Sequence, residues 1–549
     1  MEKVGPEEEK DNVPGTIHLV DVEGFLNVEK KEGSGNNIIL HPKPSSNPND
    51  PLRWPKVKKN FQFVLLITWA FMQSVSTVWM GPVYDIWTVE FDCTYLQLNN
   101  SAGILFACIA IGCVTLQPLA LKFGKRIVYL ICTLLEIVGN ALYLHGTIGS
   151  LYGASAIVGF ASSPMFSLIE ISSIDIFFQH ERADKVSYVV FALYGGVALG
   201  PLAAGFITEG AGWKWSPYIL IIIFGTLFFL QLFLMEDTTF ERDDESEELE
   251  TNILHQIKSH ETLMSGNIQE EKSKITKDQV ALKVMKSVDS SIPERTYMQR
   301  MHLIETEYSD KRGWAIVFFK PFLLCSLPAV VWCGILQSIQ QMWLTFLLNT
   351  QSLFFALPPY NFSTGMVGVT NLATFVGTIL GMFYGGSLVD IMTIFLAKRN
   401  NGILEPEFRL WNTFIPLLIN GGGLLAYGLG ISYGAPWGIP VCIGQGCLGF
   451  SMASMTGIAY TYCSDCYPNL VDESVVMISF INNGLATVFT FFISEWMDRD
   501  GINLMTYLMF MISLVLNGSC FIFIFFGKKF RRLTKNNYYR ISDLGKVTK

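Results

Sequence analysis

Residues 61–83 read FQFVLLITWAFMQSVSTVWMGPV, 23 positions without one charged side chain. A bilayer's hydrocarbon core is about 30 Å thick and an α-helix rises about 1.5 Å per residue, so about 20 apolar residues are enough to span it. This run therefore predicts a membrane-crossing helix. Working outward, similar runs lie near 101–121, 127–146, 150–174, 186–208 and 216–236, then near 322–347, 366–389, 411–431, 437–463, 474–495 and 504–527. The reading is an all-α membrane protein of twelve transmembrane helices in two pseudo-symmetric six-helix bundles, 60–236 and 321–527.

Composition agrees. The chain is 50% hydrophobic and only 16% charged, where a soluble domain carries about a quarter charged residues. Residues 237–320 are rich in Glu, Lys, Ser and Asp and read as a cytosolic linker, too poor in apolar residues to build a core. Residues 1–59 read as a polar cytosolic tail and not a signal peptide, and 528–549 as a second cytosolic tail. A net charge of −8 argues against nucleic acid as a partner.

Lysine and arginine set the orientation, because they are retained on the cytosolic side of short loops. With both termini inside, the cytosolic loops hold Lys122, Lys125, Arg126, Lys398, Arg399 and Arg409 among others, and the outer loops only Lys214 and Arg499. Sequons at Asn99 and Asn361 then fall outside, where glycosylation occurs, while that at Asn517 lies within a span. Of eleven cysteines only Cys93 faces outside, so it has no bridging partner there. The Cys463–Cys466 spacing lacks the second ligand pair that zinc requires, so no metal site is read. No cofactor motif and no set of nucleophile, base and oxyanion donors is found, and the chain does not read as an enzyme.

The spans contain no lysine or arginine, yet Glu136 and Glu170 sit inside apolar runs. A charged side chain within a bilayer faces a partner or a wet cavity, and a cationic substrate or a proton is the partner left over. Ser155, Gly159, Ser163, Glu170 and Ser173 recur at steps of three, four or seven, which predicts one small, polar stripe along the fourth span. Aromatic faces attract ammonium groups, which makes Trp79, Tyr84, Trp343 and Tyr460 candidates to complete a cation site, although Trp and Tyr also crowd membrane interfaces. Gln337, Gln341, Asn482 and Asn483 are further lining candidates, with helix–helix hydrogen bonding as the alternative. Asp85, Glu90, Asp92, Glu209, Asp498 and Asp500 outnumber the basic residues of the outer loops and would concentrate cations there.

Several motifs carry a family resemblance over about residues 47–530. The fifth span contains Gly196-x-x-x-Gly200-Pro201-x-x-Ala204-Gly205. Asn47–Pro55 precedes the first span, Asp175–Arg182 closes the fourth, and Pro358–Ser363 lies between the seventh and eighth. Lys398–Gly402 with Pro406–Leu410 follows the eighth, and Tyr460–Tyr467 ends the tenth. Together they resemble fungal twelve-span members of the major facilitator superfamily, in the branch of the drug:proton antiporters. The resemblance implies a monomeric secondary transporter whose first, fourth, seventh and tenth spans line a central cavity, which favours Glu170 over Glu136 as the substrate and proton site. It also implies gating roles for Gly124, Lys125, Arg126, Asp390, Gly196, Gly200 and Pro201. Two departures matter. Leu121 stands where the family's second-to-third loop has Asp, which predicts a charge latch in the second half only, and Ser155 stands where the family's membrane arginine falls. Serine there with an acidic fourth span looks most like yeast polyamine and histidinol uptake carriers. Transport of small organic cations across the plasma membrane is the expected function, with a proton-coupled drug exporter as the alternative.

Overall fold

The computed structural model describes residues 14, 15, 17, 18, 47–177, 179–239, 293, 295–304, 313–400 and 403–544. Most of the 1–59 tail and the 237–320 linker, residues 545–549, and the side chains of 179–182 and Lys398 lie outside the described residues. Eleven helices in the described residues are long and apolar enough to cross a membrane. The last, Pro468–Leu533, has 66 residues and would reach roughly 100 Å at 1.5 Å per residue, far more than one crossing needs. Gly501 breaks it at φ 68°, a left-handed conformation that glycine adopts without strain, so the described residues hold twelve helices of membrane-crossing length.

Local chemistry sets the helix boundaries. Thr94 and Thr147 open the second and fourth spans through reciprocal capping boxes with Gln97 and Ser150. Gly124, at φ 96°, turns the second span (Tyr95–Phe123) into the third (Lys125–Tyr143). The fourth span is not continuous. Ile148–Ser162 ends in a tight turn, Ser163–Met165, before Leu168–Ile176 resumes, because Pro164 has no N–H to carry the ladder on.

That break corrects the predicted polar stripe. Ser155 Oγ lies 2.7 Å from Ser101 Oγ and 3.1 Å from the Tyr143 hydroxyl, deep inside the first bundle. Gly159 and Ser163 also face the second span, since a Cβ on Gly159 would come 2.3 Å from Leu105 O and one on Gly112 would meet Ser163. Ser173 bonds back to Ile169 O of its own helix. Glu170 lies beyond the turn, on the helix of Ser173, and is separated by the turn from Ser155, Gly159 and Ser163.

The bundles meet along two seams. In one, the fifth span (Gln179–Ala211) packs against the eighth (Thr364–Phe383) at backbone contact: a Cβ on Gly368 would lie 2.7 Å from Pro201 O, and one on Gly205 2.8 Å from Thr364 O. In the other, the second span meets the eleventh through side chains, with Gly103 against the Phe491 ring. On the side away from the chain termini, the far side, the turn Gly81–Val83 packs on the seventh span (Pro328–Phe355), and Ser352 Oγ donates to Pro82 O at 3.3 Å.

On the tail side, two stretches of chain dock crosswise. Ile17–His18 pairs antiparallel with Ile403–Leu404 of the second half, the one strand pairing among the described residues. Next to it, Arg531 grips Glu407 at 2.7 and 3.0 Å and donates to Pro14 O. The linker end docks on the first half, where Arg126 donates to Met301 O and His302 O and Tyr297 to Phe233 O at 2.6 Å.

Candidate functional site

Between the bundles, on the tail-side half of the spans, polar groups from both halves converge. The Tyr194 hydroxyl of the fifth span donates to Thr456 Oγ1 of the tenth at 2.9 Å. Ser479 of the eleventh donates to Phe166 O, at the break in the fourth, at 3.0 Å. The Tyr460 hydroxyl lies close to Ser479 and Gln337 and within electrostatic reach of Glu170, on which Asp472 also acts. Glu170 is partly buried, and no hydrogen bond or ion pair reaches its carboxylate among the described residues. Nearby lysines are engaged elsewhere: Lys125 with Asp175, and Lys320 with Glu473 at 2.7 Å. A carboxylate with no donor, a second acid near it and a tyrosine ring beside it suit a positively charged guest bearing N–H donors.

The structure gathers only part of the set named from sequence. Glu170, Gln337 and Tyr460 come together, and Gln341 follows Gln337 one turn along the seventh span, partly buried. Trp79 and Tyr84 instead belong to a far-side aromatic core of the first bundle. Trp79 meets Trp87 and Tyr143 edge to face at 5.7 Å, and Tyr84 stacks on Trp87. Trp343 is buried in the second bundle against Phe489, also at 5.7 Å. Asn482 and Asn483 are buried on the eleventh span. Asn483 donates to Ser479 O at 2.9 Å, and the side-chain oxygens of both lack a donor.

The gating candidates fall into three groups. Gly196 and Gly200 let the fifth span touch the first, since a Cβ on Gly196 would lie 2.5 Å from Phe71 O, while Pro201 presents its carbonyl to Gly368 across the seam. In the second half, Arg409 bridges Asp390 and Asp465 at 2.6 Å each. In the first half, Lys125 pairs with Asp175 at the end of the fourth span, and Asp237 receives the backbone N–H of Arg126 at 3.3 Å. The expectation of a charge latch in one half only is therefore corrected. Leu121 removes one carboxylate from the first half, but Lys125 turns to the acid at the end of the fourth span.

Asn99 is a second correction. It lies in the first turns of the second span, 3% exposed, and its amide donates to Ser494 Oγ at 2.7 Å across the seam. A side chain so held cannot carry a glycan in this fold. Asn361 is exposed in the loop before Ser363, which caps the eighth span, and the within-span Asn517 is fully buried. Cys93 is buried and donates to Trp87 O at 3.3 Å.

Sequence reading missed Tyr194, Thr456, Asp472 and Ser479. Asp472 opens the eleventh span and reads locally as loop charge, and Tyr194 sits just ahead of the Gly196 motif, where small residues draw the eye. Only the approach of the two bundles makes them neighbours.

Comparison with known proteins agrees with this architecture. An MFS-type transporter of Schizosaccharomyces pombe is 30% identical, over 96% of this chain and 94% of its own length. Protein HOL1 of Saccharomyces cerevisiae is 27% identical over 99% of both chains. The solved proton:xylose symporter XylE superposes with a TM-score of 0.56 at 13% identity, covering 86% of this chain and 97% of its own, a likeness of fold. The profile of the Major Facilitator Superfamily matches residues 64–483, and with twelve crossings in two bundles and polar groups converging between them, the chain belongs to that superfamily of membrane transporters.

Proposed function

We propose that the chain is a secondary active transporter of small, polyamine-like organic cations, working by alternating access between its two bundles and driven by the proton gradient. The observation that carries this reading is Glu170: a carboxylate between the bundles, near Tyr460 and Asp472, with no cation of the described residues on it. An unneutralised acid within a bilayer is costly by several kcal/mol, and an ammonium guest offsets that. The lysine and arginine bias supports the tail side as cytosolic, and exposure supports Asn361 as the glycosylated sequon of a monomeric plasma-membrane protein. The glycine-lined fifth span supports the second reading, proton-coupled export of xenobiotics.

Uptake and efflux of radiolabelled spermidine, other organic cations and neutral drugs, in cells lacking their own carriers, separates the two. Glu170→Gln keeps size and hydrogen bonding and deletes charge. It should lower cation transport at least about tenfold at near-normal surface expression, as loss of a charged hydrogen-bond acceptor implies. Unchanged Km and maximal rate would remove Glu170 from the site.

A further inference from the structure

Away from the seam, inside the first bundle, Glu136 of the third span is fully buried. Its carboxylate accepts from Ser76 of the first span at 2.8 Å, from Ser162 of the fourth at 2.9 Å and from Asn140 one turn along its own helix at 3.2 Å. Among the described residues no charged group stands against it. The facing turns of the first and fourth spans bring Gln73, Ser76 and Ser162, and the titratable groups in its field are Cys132 and Tyr143 of its own span. One donor is stretched thin. The Ser162 hydroxyl has a single proton and three acceptors in range: Glu136 Oε1, Gln73 Oε1 at 3.1 Å and Val158 O at 2.7 Å. Asn140 Oδ1 is buried with no donor at all, and Gln73 Nε2 with no acceptor. Around Ser162 and Asn140 the buried acceptors outnumber the protons aimed at them, while the two protons of Gln73 Nε2 meet no acceptor.

We infer that Glu136 is a proton-binding site separate from the cation site at Glu170, and that it acts on Glu170 through the break in the fourth span. A proton taken reversibly from solution onto Glu136 turns an acceptor into a donor. It makes up the shortage and frees the Ser162 hydroxyl for Val158 O or Gln73. Ser162 is the last residue of Ile148–Ser162, immediately before the turn Ser163–Met165 that separates it from the helix of Glu170. The proton thus sets whether Ser162 donates to Glu136 or accepts from it, and this bond anchors the fixed side of that turn. The sequence reading gave both tasks to Glu170; the network divides them.

The inference rests on the cation-transport reading only for its link to Glu170, and the test separates the two. Purified full-length protein in proteoliposomes is assayed with radiolabelled spermidine in two ways: counterflow with no gradient, and accumulation under an imposed pH gradient of either orientation. Glu136→Gln should keep counterflow within about twofold of wild type and lose accumulation at least about tenfold, because substrate binding survives while the driving proton has no site. Glu170→Gln should lose both. Accumulation by Glu136→Gln at the wild-type level overturns the inference. If that variant does not assemble, Ser162→Ala, which deletes one oxygen, should lower the accumulation-to-counterflow ratio, and an unchanged ratio overturns it equally. Should wild type move no spermidine, the cation reading falls, and the inference is decided without substrate by the protonated-carboxyl infrared band of purified protein titrated with pH. A titrating component missing from Glu136→Gln, or displaced in Ser162→Ala, supports it, and an identical band in the variants overturns it.

Discussion

The two halves secure their tail-side ends with different sets of charges. In the second, one guanidinium serves two carboxylates, Asp390 on the eighth span and Asp465 at the end of the tenth. In the first, a single lysine serves one carboxylate at the matching place, Asp175 at the end of the fourth. The fork of arginine can hold two acids in a fixed geometry, whereas an ammonium acts as a point charge. Arg409 therefore ties two spans together through its loop, and Lys125 clips the loop to one. Each half thus keeps a latch, and that of the second half holds one carboxylate more.

The largest expected effect follows from what removal leaves behind. Arg409→Ala strands two partly buried acids close together, with Asp465 the better buried of the pair. The stability loss should fall between the roughly 1 kcal/mol of an exposed pair and the 3–5 kcal/mol of a buried one. Lys125→Ala takes its cation from one carboxylate instead of two and so leaves less uncompensated charge, although Asp175 is the least exposed of the three acids. Thermal unfolding of the purified variants should rank Arg409→Ala well below Lys125→Ala, and Arg409→Lys between Arg409→Ala and wild type. Equal losses in both halves would mean that the two latches carry the same load and that the count of carboxylates is irrelevant.

The seams offer a sharper version. Gly368 meets the carbonyl of Pro201, which cannot move without moving the fifth span, while Gly103 meets the edge of the Phe491 ring, which can turn. Gly368→Ala should cost about 1–3 kcal/mol by overpacking or slow transport markedly, and Gly103→Ala should do much less. Turnover of the two variants in one vesicle assay checks the ranking. A reversal would place the rigid seam between the second and eleventh spans.

Much of this was legible beforehand and some was not, for identifiable reasons. The crossings could be read because each is an unbroken apolar run of sufficient length. Helical periodicity failed in the fourth span because it was carried across Pro164, which resets the register, and so Ser155 and Glu170 were placed on one face. The Asn99 sequon is a three-residue pattern, whereas its burial depends on Ser494, almost four hundred residues away. Glu170 could be found from its own neighbours in the chain; Asp472 and Tyr194 could not, since only packing of the bundles joins them to it. The first-half latch was not legible because the family pattern has its acid at position 121, whereas this chain carries it at 175.

The smallest expected effect concerns the chain that docks on the second half. Pro14 O sits on Arg531, Gly15 at φ 81° lies where a Cβ would come 2.4 Å from Asp465 O, and Ile17–His18 pairs with Ile403–Leu404. These contacts gather next to the Asp390–Arg409–Asp465 latch, while residues 47–54 of the same tail lead into the first bundle. Deleting residues 1–18 removes one carbonyl and a two-residue strand, yet leaves Arg531 on Glu407, so stability should fall by no more than about 1 kcal/mol. Transport should change modestly, by a factor of about three or less, in the direction of faster turnover, because contacts packed beside the latch are gone while the latch itself remains. Amide exchange at residues 403–404 should quicken in the same variant. If exchange there is unaltered, the tail does not dock on this half and the asymmetry between the halves rests on the latch charges alone. If exchange quickens but turnover slows, the tail helps to assemble the second-half latch and does not restrain it.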